Sequence, residues 1–227
     1  MSIKAVLFDM DGTLVDSEVL HFDTMVTAVK SFGHAVPDDF AARITGMTIG
    51  DCHALLVETI GFDRSLEELI DAKYELYVAQ ASGLKLRAGI PDVFDLLRVT
   101  ALPMAVVSNS DRMIAEANLA ATGIAAPGLI TVTRNDVRFG KPRPEPYLRA
   151  AWLLRVDPSE CLVVEDSVPG ARAGLAAGMT VIGWPEPHRP DIVFPADVIV
   201  ADPEDLVSTL GPHLGGPGST VPVSRIA

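Results

Sequence analysis

Two aspartates one residue apart, Asp9 and Asp11, stand in KAVLFDMDGTLVDSE directly behind an apolar run. Carboxylates that close raise each other's free energy unless a cation, a proton or a set of donors compensates them. Other polar clusters occupy comparable places: Ser108-Asn109-Ser110 and Glu165-Asp166 each follow an apolar run, and Lys141 lies between Gly140 and Pro142 ahead of a helical pattern. Carboxylates converging from two strands make an all-oxygen site suited to Mg2+, which keeps several waters and also takes a phosphate oxygen. Ser108 and its neighbouring amides can donate to phosphate oxygens, and Lys141 adds a positive charge. Such a set suits phosphoryl transfer, in which positioning and charge stabilisation carry most of the catalysis.

Bringing those side chains together requires strands that end on one edge. Apolar runs at 5–8, 104–107, 129–132, 161–164, 180–183 and 198–200 read as strands, and helical spacing at 111–122, 145–154, 169–177 and 203–210 alternates with them. This is an α/β pattern with a parallel, Rossmann-like sheet, a layout that places ligands at the carboxyl ends of its strands. The interval 17–83 differs: its apolar residues fall at helical spacing in 20–32, 51–60 and 66–81, punctuated by Gly33, Gly46, Gly61 and Gly83. The expected organisation is an α/β core from residues 1–16 and 84–210, an inserted helical cap at 17–83, and a tail at 211–227 rich in Gly, Pro, Ser and Thr.

With 227 residues, 48% of them hydrophobic, the chain can bury a substantial core. Its net charge of −12 counts against nucleic acid and anionic membranes as partners. The expected partner is a small-molecule phosphate ester, drawn in where a metal ion or a few cations reverse the field. Cys52 and Cys161 lie far apart and read as reduced thiols, while the 5 scattered histidines suggest no zinc centre. No apolar stretch reaches the ~18 residues of a spanning helix, and no leader-like run follows Lys4. A soluble, cytoplasmic protein is expected, with the assembly left open between a monomer and a weak dimer.

DMDGTLVDSE, SNS, GKPRPEP and VVEDSVPGARAGLAAGM resemble, in order, the four motifs of the haloacid dehalogenase superfamily. The insertion behind the first motif resembles the small helical cap of its β-phosphoglucomutase-like subgroup. Four motifs in this context make the resemblance specific, and it covers the α/β core from end to end. It implies that Asp9 is the nucleophile, forming an aspartyl-phosphate, and that Asp11 acts as acid and then as base. Mg2+ would be held by Asp9, the backbone carbonyl of Asp11 and Asp166, with Glu165 either ligating directly or supporting. Ser108 would bind the phosphoryl group, with Asn109 nearby, and Lys141 would steady the nucleophile and the developing charge. Asp11 disfavours halide chemistry, which lacks that residue. Of the cap lysines, Lys30 and Lys73, the second sits where sugar-phosphate members also have one, which disfavours phosphonate cleavage.

Substrate choice is expected in the cap. ARITGMTIGD resembles the family's specificity loop, with Gly46 at its centre and Arg43 the nearest cation, suited to a carboxylate or hydroxyls. The mutase pattern has a lysine before that glycine and an arginine after it, where this chain has Thr45 and Ile49. Without those charges a bisphosphate intermediate loses its second grip, so the balance favours a phosphatase of a sugar, sugar-alcohol or sugar-acid phosphate over a phosphosugar mutase. His21 matches the position that assists the general acid. Plainer roles compete: an Asp-Gly turn at Asp11, a helix cap at Ser108-Asn109, and a structural Glu165. A phospho-accepting signalling module would use similar strand-end residues, but Asp11 and the insertion count against it. Gly170, Gly174 and Gly178 lack dinucleotide-binding spacing and read as small residues that let a helix approach the sheet.

Overall fold

The structure, a computed structural model, describes residues 2–44, 47–189 and 192–214. Six strands form one parallel sheet: β1 (Ala5–Phe8), β2 (Met104–Val107), β3 (Ile130–Val132), β4 (Cys161–Glu165), β5 (Thr180–Gly183) and β6 (Ile199–Val200). β1 and β4 are buried along their whole length, which is why they read as unbroken apolar runs rather than alternating ones. The order is β3-β2-β1-β4-β5-β6. The chain therefore builds outward from β1 to one side, then returns to build outward from β4 on the other. The β1/β4 junction is the switch point at which such sheets bind ligands. Phe8 lies opposite Val164 on β4 and Val106 on β2, so the residues that follow these strands emerge at similar levels.

The helices are α1 (Glu18–Ser31), α2 (Phe40–Ile44), α3 (Ile49–Ile60), α4 (Leu66–Gln80), α5 (Ile90–Thr100), α6 (Arg112–Ala121), α7 (Glu145–Leu154), α8 (Val168–Ala176) and α9 (Leu206–Leu210). The helical spacing read from the sequence includes nothing between residues 84 and 103, yet α5 starts at Ile90. Gly89 occupies the N-cap with a φ of 87°, and Pro91 falls in the first turn, where its missing N–H costs nothing. Ile90, Val93 and Leu97 then recur on one buried face.

The chain divides into two compact units. One carries the sheet and comprises the chain up to Leu14, Leu86–Asp111 and the chain from Ala126 onward. Its core packs Leu7, Val107 and Val163 of the strands with Tyr147 and Ala150 of α7 and Ala173 of α8. Gly174 lets α8 approach the sheet, since a Cβ there would lie 2.8 Å from Val181 Cγ2. The other unit spans Val15–Lys85 and adds Arg112–Ala125. Met25, Ala28 and Val29 of α1 pack there with Phe40, Cys52, Leu56, Phe62 and Leu69, and a Ser65/Glu68 capping box opens α4. α6 joins this unit through Ile114, packed with Tyr77 and Ala81, and through Asn118, whose Oδ1 accepts from Tyr77 Oη at 2.9 Å. Local pattern alone groups α6 with residues 84–210, because nothing in its own sequence reveals Tyr77 as its neighbour.

Part of the Gly/Pro-rich C-terminal stretch is ordered: Gly211–His213 forms a 3-10 turn and Leu214 is buried. The rest of the expected tail, 215–227, lies outside the described residues. Cys52 and Cys161 are free and buried, one in each unit. Among the described residues no helix is long and apolar enough to cross a membrane.

Candidate active site

The chain turns sharply as β1 ends. Asp9 N–H still donates to Val164 O across the sheet, at 3.0 Å, and the Met10 carbonyl then accepts from Thr13 N and Leu14 N at 3.3 and 2.9 Å. Gly12 takes a φ of 79°, a region that favours glycine. A Cβ on Gly12 would lie 2.7 Å from Asp166 Oδ2, so the loop passes Asp166 backbone first. Thr13 Oγ1 donates to Asp166 Oδ1 at 2.9 Å. Buried Arg87 fixes the loop from the other direction. Its Nη1 donates to Gly12 O at 2.8 Å and Trp184 O at 2.9 Å, and its guanidinium lies 3.4 Å from the Trp184 ring centroid.

Lys141 holds the centre. Its Nζ donates to Asp9 Oδ1, to Glu165 Oε1 at 2.6 Å and to Val107 O at 2.8 Å. Glu165 is fully enclosed. Its Oε1 also accepts from Tyr147 Oη at 2.6 Å, while Oε2 accepts from Ser167 N and Oγ at 3.2 and 2.8 Å. Gly170 makes room for this carboxylate, because a Cβ there would fall 1.7 Å from Glu165 Oε1. The role expected of Gly170, letting the helix approach the sheet, therefore belongs to Gly174, and Gly170 clears a charged group instead.

Burial dominates the electrostatics. It lifts the Asp9 carboxyl well above the usual range; Lys141 opposes this, while Glu165, Asp166 and Asp11 add to it. Burial and the Glu165 charge lift Asp166 to about 7 against the Thr13 hydrogen bond and Lys141. For Lys141, burial works against the ammonium, but Asp9 and Glu165 outweigh it and raise the pKa above its ordinary value. Burial, then the charge on Glu165, keeps the Tyr147 phenol protonated and able to donate.

Carboxylate oxygens of Asp9, Glu165 and Asp166 lie within 4.8 Å of one another. Protein donors take both Glu165 oxygens. No side chain among the described residues donates to Oδ2 of Asp9 or of Asp166. This donor set fits a hard divalent cation, with Asp9 and Asp166 as the available pair and Glu165 committed to Lys141, Tyr147 and Ser167.

Asp11 faces the end of β2. Its Oδ2 accepts from Ser110 Oγ at 2.8 Å and from Ser108 Oγ at 3.3 Å, and Ser108 Oγ itself accepts from Ser110 N at 2.9 Å. Asn109 turns elsewhere. Its Oδ1 accepts from Lys141 N at 2.8 Å and its Nδ2 donates to Lys141 O at 3.1 Å.

Asp9, Asp11, Ser108, Lys141, Glu165 and Asp166 thus gather at one end of the sheet, while the Asn109 carboxamide engages main chain. In the helical unit, His21 Nδ1 lies 3.0 Å from Lys73 Nζ and its ring centroid 4.5 Å from that of Tyr77. Arg43 is exposed on α2. Thr45 and Gly46 lie outside the described residues. Thr13, Ser110, Tyr147, Ser167 and Arg87 were not singled out as site residues by pattern. The first two stand inside the DMDGT and SNS motifs, where a hydroxyl passes for a turn former. Ser167 stands inside the VVEDSVPG motif but passes for an ordinary helix start. Tyr147 and Arg87 carry no local signal, since each is defined by partners distant in sequence.

A doubly wound parallel sheet with carboxylates, a lysine and hydroxyls at its switch point defines a class of α/β enzyme. Residues 3–178 match the family model of the haloacid dehalogenase-like hydrolases. The chain belongs to that family, and a putative beta-phosphoglucomutase from Thermotoga maritima shares its fold, with a TM-score of 0.75 and 25% identity over 92% of this chain and 99% of that one. It is 30% identical over 214 residues to hexitol phosphatase A of Escherichia coli (strain K12), covering 94% of this chain and 97% of that one. It is 32% identical over 199 residues to a bifunctional riboflavin kinase/FMN phosphatase of Arabidopsis thaliana, covering 87% of this chain and 52% of that protein's length. CbbY from Rhodobacter sphaeroides in complex with phosphate has the same fold, with a TM-score of 0.81 and 24% identity over 90% of this chain and 96% of that one. Family and relatives together make the chain a phosphoric monoester hydrolase.

Proposed function

We propose that this chain is a Mg2+-dependent phosphatase of a small phosphorylated sugar, sugar alcohol or sugar acid, and that it carries the phosphoryl group on Asp9. The observation that carries the proposal is the seat of Lys141 between Asp9 and Glu165, beside Asp166. Lys141 holds the Asp9 carboxylate in place so that one of its oxygens can attack phosphorus in line. As the Asp9 oxygen–phosphorus bond forms, the bond to the leaving oxygen breaks and Asp11 supplies that oxygen's proton. Asp11 then takes a proton from water, the water oxygen bonds to phosphorus, and Asp9 is released with inorganic phosphate.

Ser108 binds the transferring group, Ser110 holds Asp11, and Glu165 keeps Lys141 against the nucleophile. When bound by Asp9, Asp166 and the Asp11 carbonyl, Mg2+ supplies charge neutralisation between the carboxylates and the phosphoryl oxygens. His21, Arg43 and Gly46 of the helical unit are proposed to read the organic part of the substrate. Thr45 and Ile49, at the places where a mutase carries charges, support hydrolysis over mutase chemistry. The likeness to hexitol phosphatase A supports a sugar-alcohol or related ester. A cytoplasmic monomer or weak dimer completes the proposal.

The test is phosphate release from a panel of phosphorylated sugars, sugar acids, polyols and nucleotides, with Mg2+ or with EDTA, beside Asp9→Asn. Metal-dependent release that falls by roughly 10³-fold or more in Asp9→Asn is expected. Isomerisation of β-glucose 1-phosphate without release from any ester would overturn the phosphatase.

A further inference from the structure

We propose that Asn109 is a positioning residue for Lys141 and that Gly140 supplies the space in which it acts. This rests on the phosphatase reading above. The Asn109 carboxamide makes two hydrogen bonds to the main chain of a single residue, accepting from Lys141 N–H at 2.8 Å and donating to Lys141 C=O at 3.1 Å. These are the groups a neighbouring strand would pair, here supplied by one side chain of complementary donor and acceptor. Together they fix the peptide planes on both sides of the Lys141 Cα. The lysine stem starts from that Cα and must deliver Nζ to Asp9, Glu165 and Val107 O at once.

Gly140 is the independent observation. A Cβ at this position would lie 2.5 Å from Asn109 Oδ1 and 3.2 Å from its Cγ. Only a residue without a side chain leaves the carboxamide where it is. The SNS segment at the end of β2 therefore splits its work: Ser108 and Ser110 face Asp11, and Asn109 reaches across to the loop that presents Lys141. A carboxamide whose oxygen and one N–H are engaged in this way governs the nucleophile's cationic partner rather than the phosphate directly. Asn109 is itself exposed, so replacing it opens no buried cavity and the variant is expected to fold.

The experiment is a double-mutant cycle of Asn109→Ala and Gly140→Ala, with p-nitrophenyl phosphate and Mg2+ as the probe and inorganic phosphate as competitive inhibitor. Asn109→Ala is expected to lower kcat by roughly 10- to 100-fold, the scale of a misplaced catalytic group, with KM and phosphate inhibition close to wild type. Gly140→Ala, which has no route to the phosphate of its own, is expected to reproduce that loss. The double variant is then no worse than either single one, as coupled residues require. Asn109→Asp keeps an acceptor for Lys141 N–H and is expected to recover part of kcat. An unchanged kcat, a rise in KM and phosphate inhibition constant instead, or losses that multiply in the double variant, would each overturn the proposal. Hydrogen exchange at the Lys141 amide reads the clamp without turnover, and exchange no faster in Asn109→Ala than in wild type would also overturn it. A wild type that hydrolyses no phosphate ester, with Lys141 exchange still accelerated in Asn109→Ala, would sink the phosphatase and leave the clamp standing.

Discussion

The two units of this protein are stabilised by different chemistry. In the helical unit, Met25, Ala28, Val29, Leu56 and Leu69 form a buried apolar cluster, and burial of that kind answers weakly to pH and to ions. The sheet unit has an apolar core as well, but the carboxyl end of its sheet also buries Asp9, Lys141, Glu165 and Asp166. Charges out of water are tolerable only while every partner is in place, and removing one partner costs far more than the pair contributes. The unit that holds the candidate site is therefore the more conditionally stable of the two. Among the described residues the helical unit buries a single charged side chain, Lys73, beside His21. Placing the carboxylates and lysine together creates a demand for protons or a cation at the point where a phosphate ester would be handled.

The comparison is broken most directly at Gly170. In Gly170→Ala the new Cβ would stand 1.7 Å from Glu165 Oε1, so α8 or the carboxylate must move and Lys141 loses its seat. We expect a loss on the order of 3–5 kcal/mol in urea unfolding, as for a disrupted buried pair, together with loss of turnover. A loss below about 1 kcal/mol would mean that α8 yields easily and the network is not tightly seated. Leu56→Ala, in the helical unit, is expected to cost roughly 2–5 kcal/mol by cavity formation, equally at about pH 5 and about pH 8 and with no change in the response to Mg2+. A cost that varied with pH would erase the distinction between the units.

A smaller effect sharpens it. Asp166 stands at about 7 in the fold against an ordinary value of 3.8, and Asp9 is raised as well. Between those values the native state keeps protons that the unfolded chain has released, so metal-free stability should fall as pH rises from about 4 through about 7. On the proposed function, Mg2+ would compete with those protons for the same oxygens. Its stabilisation should therefore be larger near pH 8 than near pH 5, on the order of 1–3 kcal/mol at saturating metal. Thermal unfolding with Mg2+ and with EDTA at both pH values checks this, and an equal rise at each would show that the cation binds elsewhere.

What the sequence revealed follows the same division. Asp9, Ser108, Glu165 and Asp166 were legible because each ends an apolar run, and a strand's last residue has a determined place on a parallel sheet. Lys141 was legible from its Gly-Lys-Pro setting. Asn109 was placed at the right edge, but its target is a main-chain group 32 residues further on, which no local pattern shows. Gly170 and Gly174 look alike in sequence, yet one faces a carboxylate and the other two valines. Their difference exists only once α8 lies on the sheet. α5 escaped notice because Gly89 and Pro91 are breakers inside a helix and starters at its first turn. Only packing decides which applies.

Tyr147 tests the lower limit of this conditional stability. Its hydroxyl is one of two donors to Glu165 Oε1, the other being Lys141 Nζ. In Tyr147→Phe the ring stays in the core with Leu7 and Val107 and still lies beneath Lys141, whose Nζ is 5.1 Å from its centroid. Glu165 keeps Lys141 on Oε1 and Ser167 on Oε2, so no buried oxygen loses every donor. The expected cost is about 1 kcal/mol, that of one hydrogen bond with its acceptor still satisfied, and the fall in kcat should be smaller than for Asn109→Ala. If Tyr147→Phe instead destabilised the protein as much as Gly170→Ala, the phenol would be fixing Glu165 and the gap at Gly170 would be incidental. A drop in kcat with no change in stability would locate the effect in how Glu165 shares Lys141 with Asp9, because the fold would then be indifferent to a donor that the chemistry needs.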